Sequence, residues 1–191
     1  MAIVSGLDRR IAVVGWGSLI WDPRELPLAS SWHPDGPQLP VEFARVSDDG
    51  RLTLVLRDGV ADAQTLWALM SSGALDEARE QLARRERTVP DLIGSLEKGG
   101  PPEGPVASWL AQRQLDAVVW TGLPSNFEER TGEPLGVDVA VRYLEQVSDD
   151  TRLAAERYVR RAPPQVRTAI RRGLERRLGW TTAYAQRRPA P

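Results

Sequence analysis

The feature that most constrains the fold is the order of two hydrophobic patterns along the chain, in which strand-type patterns come first and helical spacing follows. Before residue 71, short apolar or alternating stretches predict strands at Ile11–Gly15, 39–46, Leu52–Leu56 and 64–70. After residue 75, helical spacing dominates, interrupted by one further predicted strand at Ala117–Thr121. Strands followed by helices without regular alternation favour an α+β fold over a doubly wound α/β sheet.

Turn and helix signals refine this division. The Asp-Gly pair at 49–50 supplies the positive-φ residue of a tight hairpin between two predicted strands. Residues 75–88 form the clearest predicted helix, with Pro90 just beyond its end. Further helices are predicted over 137–147, over 151–161 with Ser148 or Asp149 as cap, and from Pro164 onward, and the glycine- and proline-rich segment 99–105 is predicted as a surface loop.

Composition and length limit the classes of protein that this chain can belong to. The 191 residues include no cysteine, which excludes disulfides, thiolate nucleophiles and thiolate-bound metals. Residues 1–10 lack the apolar stretch of a signal peptide, and the longest apolar run, 11–21, is too short to span a bilayer, so we expect a cytoplasmic protein without a membrane partner. We expect one domain over 1–150, with 151–191 as a helical extension packed on it.

Charge is distributed unevenly along the chain. Residues 151–191 hold 11 arginines against Glu156 and Glu175, a net charge of +9, which leaves −10 for residues 1–150. A basic arm of this kind is typical of nucleic-acid binding. The interpretation that the sequence favours is that these arginines cover helices docked on an acidic body or lie in solvent, so nucleic acid is a disfavoured partner.

A glycine-bearing turn, Trp16-Gly17-Ser18-Leu19-Ile20, follows the first predicted strand. A dinucleotide fingerprint needs a third glycine where Ile20 stands, and a P-loop needs a Gly-Lys-Ser/Thr ending, so both nucleotide motifs are excluded. Two interpretations remain. In one, the glycine lets the backbone approach a ligand and exposes N–H groups to a carboxylate or a developing oxyanion. In the other, this is a tight strand-end turn packed by tryptophans.

Glu86 is the acidic residue whose position most needs an explanation. Leu75, Ala78 and Leu82 mark the core-facing stripe of the predicted helix, and four residues beyond Leu82 the stripe reaches Glu86, whereas Arg85 falls on a face that we expect to be solvated. An inward-facing glutamate is unfavourable unless it is paired or hydrogen-bonded, and it is a suitable general base. Alternatively, it lies where the stripe meets solvent or pairs with a neighbouring arginine.

The turn and the glutamate together resemble two motifs of the γ-glutamylcyclotransferase-like family, which includes the ChaC-type enzymes and the AIG2-like proteins. In that family the first strand ends in a Tyr-Gly-Ser-Leu or similar turn that binds the γ-glutamyl group; here residues 16–19 read Trp-Gly-Ser-Leu, and the Ile-Trp-Asp-Pro of 20–23 is similar to the ChaC-type continuation. Residues 82–86, Leu-Ala-Arg-Arg-Glu, are similar to a Leu-x-x-Arg-Glu segment whose glutamate is the catalytic base. The resemblance covers about residues 10 to 125. Trp16 keeps the ring of the family tyrosine and lacks its hydroxyl.

The resemblance implies a fold and a reaction. The fold would be a small mixed β-barrel with surrounding helices, and the reaction would convert a γ-glutamyl amide or peptide to 5-oxoproline and a free amine or peptide, without metal or cofactor. Substrates of such families include glutathione, γ-glutamyl dipeptides and γ-glutamylamines. The catalytic base would be Glu86, and the substrate would be bound by Trp16, Gly17, Ser18, Leu19 and Ile20.

Two alternatives to an enzyme stay open from the sequence. The first is a non-catalytic member of the fold that binds a small metabolite or a protein partner, which the loss of the tyrosine hydroxyl at Trp16 favours. The second is nucleic-acid binding through the basic C-terminal helices, for which affinity would fall steeply as the salt concentration rises.

Overall fold

A computed structural model of the protein describes residues 9–182, which form an α+β fold, as the sequence predicts. These residues group into two compact units. Unit 1 comprises residues 9–15, 22–38 and 64–123, and unit 2 comprises residues 16–21, 39–63 and 124–182. Within the described range, no helix has the length and apolar character needed to cross a membrane. The division expected at residue 150 stays a prediction.

Eight strands and six α-helices make up the regular structure of residues 9–182. The strands are β1 (Ile11–Gly15), β2 (Gln38–Leu39), β3 (Val41–Val46), β4 (Leu52–Leu56), β5 (Ala63–Gln64), β6 (Leu66–Leu69), β7 (Ile93–Glu97) and β8 (Ala117–Thr121). The helices are α1 (Leu75–Glu86), α2 (Pro105–Gln112), α3 (Phe127–Thr131), α4 (Val137–Gln146), α5 (Asp149–Arg161) and α6 (Ala169–Leu178), with a short 3₁₀ turn at Pro90–Leu92.

A mixed four-stranded sheet in the order β6-β1-β8-β7 organises unit 1. β1 lies in the interior of the sheet, parallel to β8 and antiparallel to β6, and every residue of β1 is buried. α1 packs against β7 and β8. Because β1 and β8 are parallel, with Val14 opposite Trp120, both strands end at the same edge of the sheet.

Two elements of unit 1 are absent from the sequence prediction. β7 pairs antiparallel with β8, and its sequence, Ile-Gly-Ser-Leu-Glu, carries only two apolar side chains. Its glycine, Gly94, lies so close beneath the ring of Trp120 that a side chain there would overlap the indole. α2 begins at Pro105, the last residue of the predicted loop, because proline is well suited to the first position of a helix.

Unit 2 contains the predicted hairpin of β3 and β4. Gly50 has φ of 83° in the connecting turn, as a tight hairpin with an Asp-Gly pair requires. The strand predicted over 39–46 is divided at Pro40, which has no N–H to donate to a neighbouring strand. The two-residue strands β2 and β5 are each divided between the units, with Leu39 and Ala63 in unit 2.

The helices of unit 2 confirm one predicted cap and correct the starts of two predicted helices, since α5 begins at Asp149 rather than at residue 151. The hydroxyl of Ser148 accepts a hydrogen bond from the N–H of Thr151, which confirms Ser148 as the cap of α5. α6, which the sequence predicts from Pro164, begins instead at Ala169. The side chain of Thr168 caps it by accepting from the N–H of Arg171, so the preceding residues remain outside the helix.

A buried carboxylate also supports the start of α6. Glu42 of β3 is 2% exposed, and its Oε2 accepts hydrogen bonds from the backbone N–H groups of Ala169 at 3.0 Å and Ile170 at 3.2 Å. Its Oε1 accepts from the N–H of Phe43 at 2.8 Å. A negative charge at the N-terminus of a helix satisfies donors that have no partner within the helix and interacts favourably with the helix dipole.

Arg171 of α6 is buried inside unit 2, with 2% of its surface exposed. Its guanidinium donates to Glu175 through Nε, to the carbonyls of Pro163 and Val166 through Nη1, and to those of Val159 and Ala162 through Nη2. Arginine has five N–H donors, and all of them are engaged. This side chain therefore connects the end of α5, the following loop and α6. The expectation that the C-terminal arginines lie at the surface is wrong for this residue.

The expected barrel is corrected to open sheets within residues 9–182. A barrel requires each strand to pair on both sides. In unit 1, β6 and β7 are edge strands with one partner each, and in unit 2, β3 pairs with β4.

Candidate active site

Glu86 is the last residue of α1 and lies at the end of its buried face. Ala78 and Leu82 on the same face are fully buried, and the Glu86 side chain is 15% exposed. The following residue, Arg87, adopts a left-handed conformation with φ of 54° that ends the helix. The helical stripe thus carries the carboxylate into unit 1, away from bulk solvent.

One oxygen of this carboxylate is fixed by two donors. Glu86 Oε1 accepts hydrogen bonds from Thr121 Oγ1 at 3.2 Å and from Arg85 Nη1 at 2.9 Å. Among residues 9–182, no group donates a hydrogen bond to Oε2. The carboxylate is therefore held in place through Oε1, while Oε2 can accept a further donor.

Arg85 is buried, which corrects the expectation that it is solvated. Its side chain is 4% exposed, and Nε and Nη2 donate to the carbonyl of Asp22 at 3.2 and 2.6 Å. In return, Arg24 Nη1 donates to the backbone carbonyl of Arg85 at 2.9 Å. A guanidinium is tolerated on the inner face because a backbone carbonyl and a carboxylate accept hydrogen bonds from it. These bonds also tie the 22–24 loop to the last turn of α1.

Thr121 shows at which edge of the unit 1 sheet the Glu86 carboxylate lies. It is the last residue of β8, and β1 ends beside it in parallel register. The end of α1, the end of β8 and the end of β1 therefore meet at one sheet edge. The chain leaves β1 at Gly15 and enters the turn that the sequence singles out.

The residues from Trp16 to Ile20 form a tight turn and belong to unit 2. The N–H of Ile20 donates to the carbonyl of Gly17 at 3.1 Å, and the indole N–H of Trp16 donates to the carbonyl of Leu54 at 3.2 Å. Within the described part of the chain, no acceptor pairs with the N–H of Gly17 or of Leu19. Two amide groups of the turn can therefore bind an anionic oxygen.

Tyr158 of α5 contacts this turn, a contact that the sequence does not predict. Its phenolic oxygen accepts a hydrogen bond from the N–H of Leu54 at 3.4 Å, and its ring packs edge-on against Trp21 and Phe43, with centroids 5.2 and 6.1 Å away. A Cβ atom built on Gly17 would overlap the phenolic oxygen. Close approach of Tyr158, rather than an unusual φ angle, thus requires glycine at this position.

The sequence pattern predicts that Tyr158 is buried, but it does not predict that Tyr158 contacts the turn at 16–20. Ala155, Tyr158 and Val159 recur at helical spacing and form the buried face of α5. Periodicity identifies such a face but cannot identify a partner more than a hundred residues away in the chain.

The predicted site residues are divided between the two units. Glu86, with Arg85 and Thr121, belongs to unit 1, and the turn at 16–20 belongs to unit 2. No group of three or more histidine, aspartate or glutamate side chains within residues 9–182 is arranged to hold a metal ion.

Comparisons of the chain with protein-family models, with curated proteins and with solved structures returned no match.

Proposed function

We propose that the protein is a γ-glutamyl cyclotransferase in which Glu86 is the general base. The observation that supports this proposal most is the state of the Glu86 carboxylate, which is largely buried and fixed through Oε1 by Thr121 and Arg85. Oε2 remains available for the α-ammonium group of a substrate. A base held in one orientation reacts without first having to be reoriented.

The reaction proceeds within the substrate molecule. Glu86 takes a proton from the α-ammonium group, and the resulting amine attacks the γ-carbonyl carbon. A C–N bond forms and closes the five-membered ring, and the attacking nitrogen gives up a second proton as it becomes the amide nitrogen of the ring. The C–N bond to the leaving amine breaks, and the two protons lost by the attacking nitrogen pass to that amine, the first of them by way of Glu86. The products are 5-oxoproline and a free amine or peptide. The attacking nucleophile belongs to the substrate, so the protein supplies only a base and groups that orient the substrate.

The turn at 16–20 has a separate role in this proposal. Its N–H groups at Gly17 and Leu19, which have no acceptor among the described residues, are suited to a carboxylate or to the oxyanion that develops on the attacked carbonyl. Trp16 stands where the resembling family has tyrosine, and its indole N–H is engaged by the carbonyl of Leu54. Substrate contacts that a tyrosine hydroxyl would provide are therefore not assigned to Trp16.

A second candidate function, a non-catalytic protein that binds a small metabolite, is favoured by the ion pair of Glu86 with Arg85. The two charged groups lie 2.9 Å apart and are 15% and 4% exposed. A carboxylate paired with a guanidinium attracts a substrate ammonium less strongly than an unpaired carboxylate does. The same carboxylate then serves to position α1 rather than to transfer a proton.

The experiment that separates these functions measures the release of 5-oxoproline from a panel of γ-glutamyl compounds. The panel contains glutathione, γ-glutamyl dipeptides and γ-glutamylamines. The parent protein is compared with Glu86→Gln, which keeps the shape of the side chain and removes the base. Glu80→Gln is the matched control, because Glu80 is an exposed residue of the same helix.

Turnover that Glu86→Gln abolishes and Glu80→Gln retains would support the proposed enzyme. If no compound is turned over, calorimetric titration of the same panel tests the second candidate. Binding without turnover by the folded parent protein would establish it and overturn the catalytic proposal.

A further inference from the structure

A cleft of about 190 Å³ lies in unit 2 beside α6, far along the chain from every residue that the proposed reaction uses. A cavity of only about 10–15 Å³ holds a single water molecule, so the volume of this cleft is sufficient for a small ligand. Among residues 9–182, the charged residues that line it are Arg167, Arg171, Arg172 and Glu175. Three guanidinium groups against one carboxylate give this lining a net charge of +2.

Two of the four charges are already paired with each other. Arg171 Nε donates to Glu175 at 3.2 Å, and the remaining donors of Arg171 are used by backbone carbonyls. Arg171 and Glu175 therefore form a part of the lining in which the charges balance each other and the guanidinium donors are already engaged. The unbalanced charge of the cleft comes from the other two arginines.

Arg167 and Arg172 are exposed and have no carboxylate partner among residues 9–182. Arg172 Nη1 donates to the backbone carbonyl of Arg167 at 3.3 Å, which orients the Arg172 side chain toward the loop that carries Arg167. Within the described range, most donors of both guanidinium groups remain free. Thr181, which also lines the cleft, adds a hydroxyl group.

The positive charges of the lining act on one another. Burial lowers the pKa of the Arg171 guanidinium, Glu175 opposes that shift, and the charge of Arg167 lowers it further. The positive charge of Arg167 is thus unfavourable for the charged form of Arg171. An anion beside Arg167 would offset this effect and accept charge-assisted hydrogen bonds from the exposed guanidinium groups.

We propose that this cleft binds the phosphate group of a small molecule through Arg167 and Arg172. A phosphate dianion carries the charge that balances the +2 of the lining, and guanidinium groups match phosphate oxygens in geometry and charge. The volume leaves room for a small organic portion beside the phosphate. Free phosphate and a phosphate monoester share this chemistry.

The test is isothermal titration calorimetry of the 191-residue protein with inorganic phosphate and, in a second arm, with glucose 6-phosphate, at fixed pH and ionic strength. The cleft variant is Arg167→Gln with Arg172→Gln. The matched control is Arg152→Gln with Arg157→Gln, which removes the same charge from two exposed positions of α5 that do not line the cleft. All four side chains are exposed, so both variants are expected to fold, which thermal unfolding verifies.

We expect the cleft variant to bind phosphate at least about tenfold more weakly than the parent, because each lost guanidinium removes charge-assisted hydrogen bonds. The control variant should stay within about twofold of the parent, as expected for exposed charges that make no direct contact. Tighter binding of the ester than of phosphate would identify an organic ligand, and equal binding would identify phosphate itself. Equal losses in the two variants, or no binding of either compound by the parent, would overturn the proposal.

Discussion

The phenolic oxygen of Tyr158 occupies the space that a side chain at Gly17 would need. Tyr158 is 6% exposed, and its ring packs edge-on against Trp21 and Phe43, so it has little freedom to move aside. The glycine turn after β1 and the buried face of α5 are therefore fitted to each other inside unit 2. Residues 16–20 and residue 158 should be studied as one packed cluster.

Gly17→Ala should lower the free energy of unfolding by about 1–3 kcal/mol, the usual effect of overpacking a filled interior. The same substitution in a Tyr158→Phe background should be less destabilising, because the overlapping oxygen is then absent and the nearest remaining ring atom is at 3.5 Å, an ordinary contact. Urea denaturation of the two single variants and the double variant measures this coupling. Strictly additive effects would show that another contact requires the glycine.

Arg171→Met should lower the free energy of unfolding by about 3–5 kcal/mol, as breaking a buried charged network does. The reason is that four backbone carbonyls and Glu175 lose their donor together. The adjacent Arg172 is exposed, so Arg172→Met serves as the control and should stay within about 0.5 kcal/mol. The midpoints of chemical denaturation compare the two variants, and similar losses in both would contradict a structural role specific to Arg171.

Thr121→Val should lower kcat about tenfold if the proposed reaction is correct, because one of the two hydrogen bonds that orient Glu86 Oε1 is lost. Thr121→Ser retains the hydroxyl and should restore most of kcat. Steady-state release of 5-oxoproline measures both, with KM expected to change little because Thr121 is assigned no substrate contact. A change confined to KM would instead place Thr121 in substrate binding.

The acid stability of unit 1 should depend on Asp35. The indole N–H of Trp67, which donates to Asp35 Oδ1 at 2.9 Å, and the guanidinium of Arg113 hold the pKa of this carboxyl below its ordinary value of 3.8. Because the pKa of Asp35 is lower in the folded than in the unfolded protein, the ionised carboxylate stabilises the folded state above pH 3.8. This stabilisation is lost as the pH falls through the pKa of the folded protein.

Asp35→Asn should therefore reduce the loss of unfolding free energy on acidification, by less than about 1 kcal/mol because half of the carboxylate is exposed. Urea denaturation at neutral pH and below pH 3.8 measures the difference between parent and variant. A parent protein and variant with the same pH dependence would show that the pair does not stabilise the fold.

The strands of the core were predictable because their residues are apolar and continuous. β1, β4 and β8 lie where the sequence predicts them, and the glycine of the β3–β4 turn has the expected conformation. β7 was not predictable, because its pairing with β8 rather than its own composition makes it a strand. The start of α6 was predicted at Pro164 but lies at Ala169, because the Thr168 side chain caps the helix there. Proline and hydrophobic spacing do not show which residue acts as the cap.

The surroundings of the candidate site were less predictable than its central residue. The helical stripe leads directly to Glu86, since its spacing depends only on residues of the same helix. The burial of Arg85 and Arg171 depends on backbone carbonyls supplied by other segments, such as the Asp22 carbonyl for Arg85. Sequence patterns treat an arginine as a surface residue, whereas donors satisfied by distant oxygens permit its burial.

The division of the chain between the units also determines when the residues of each unit become available during synthesis. The last residue of unit 1 is Leu123, so a ribosome that has released this residue has supplied the whole of that unit. At that stage the β3–β4 hairpin exists without α6, and the carboxylate of Glu42 lacks the helix terminus that it caps in the finished protein. All residues of unit 1 are therefore available before residues 124–182 have been made, whereas unit 2 is incomplete until α6 has been synthesised.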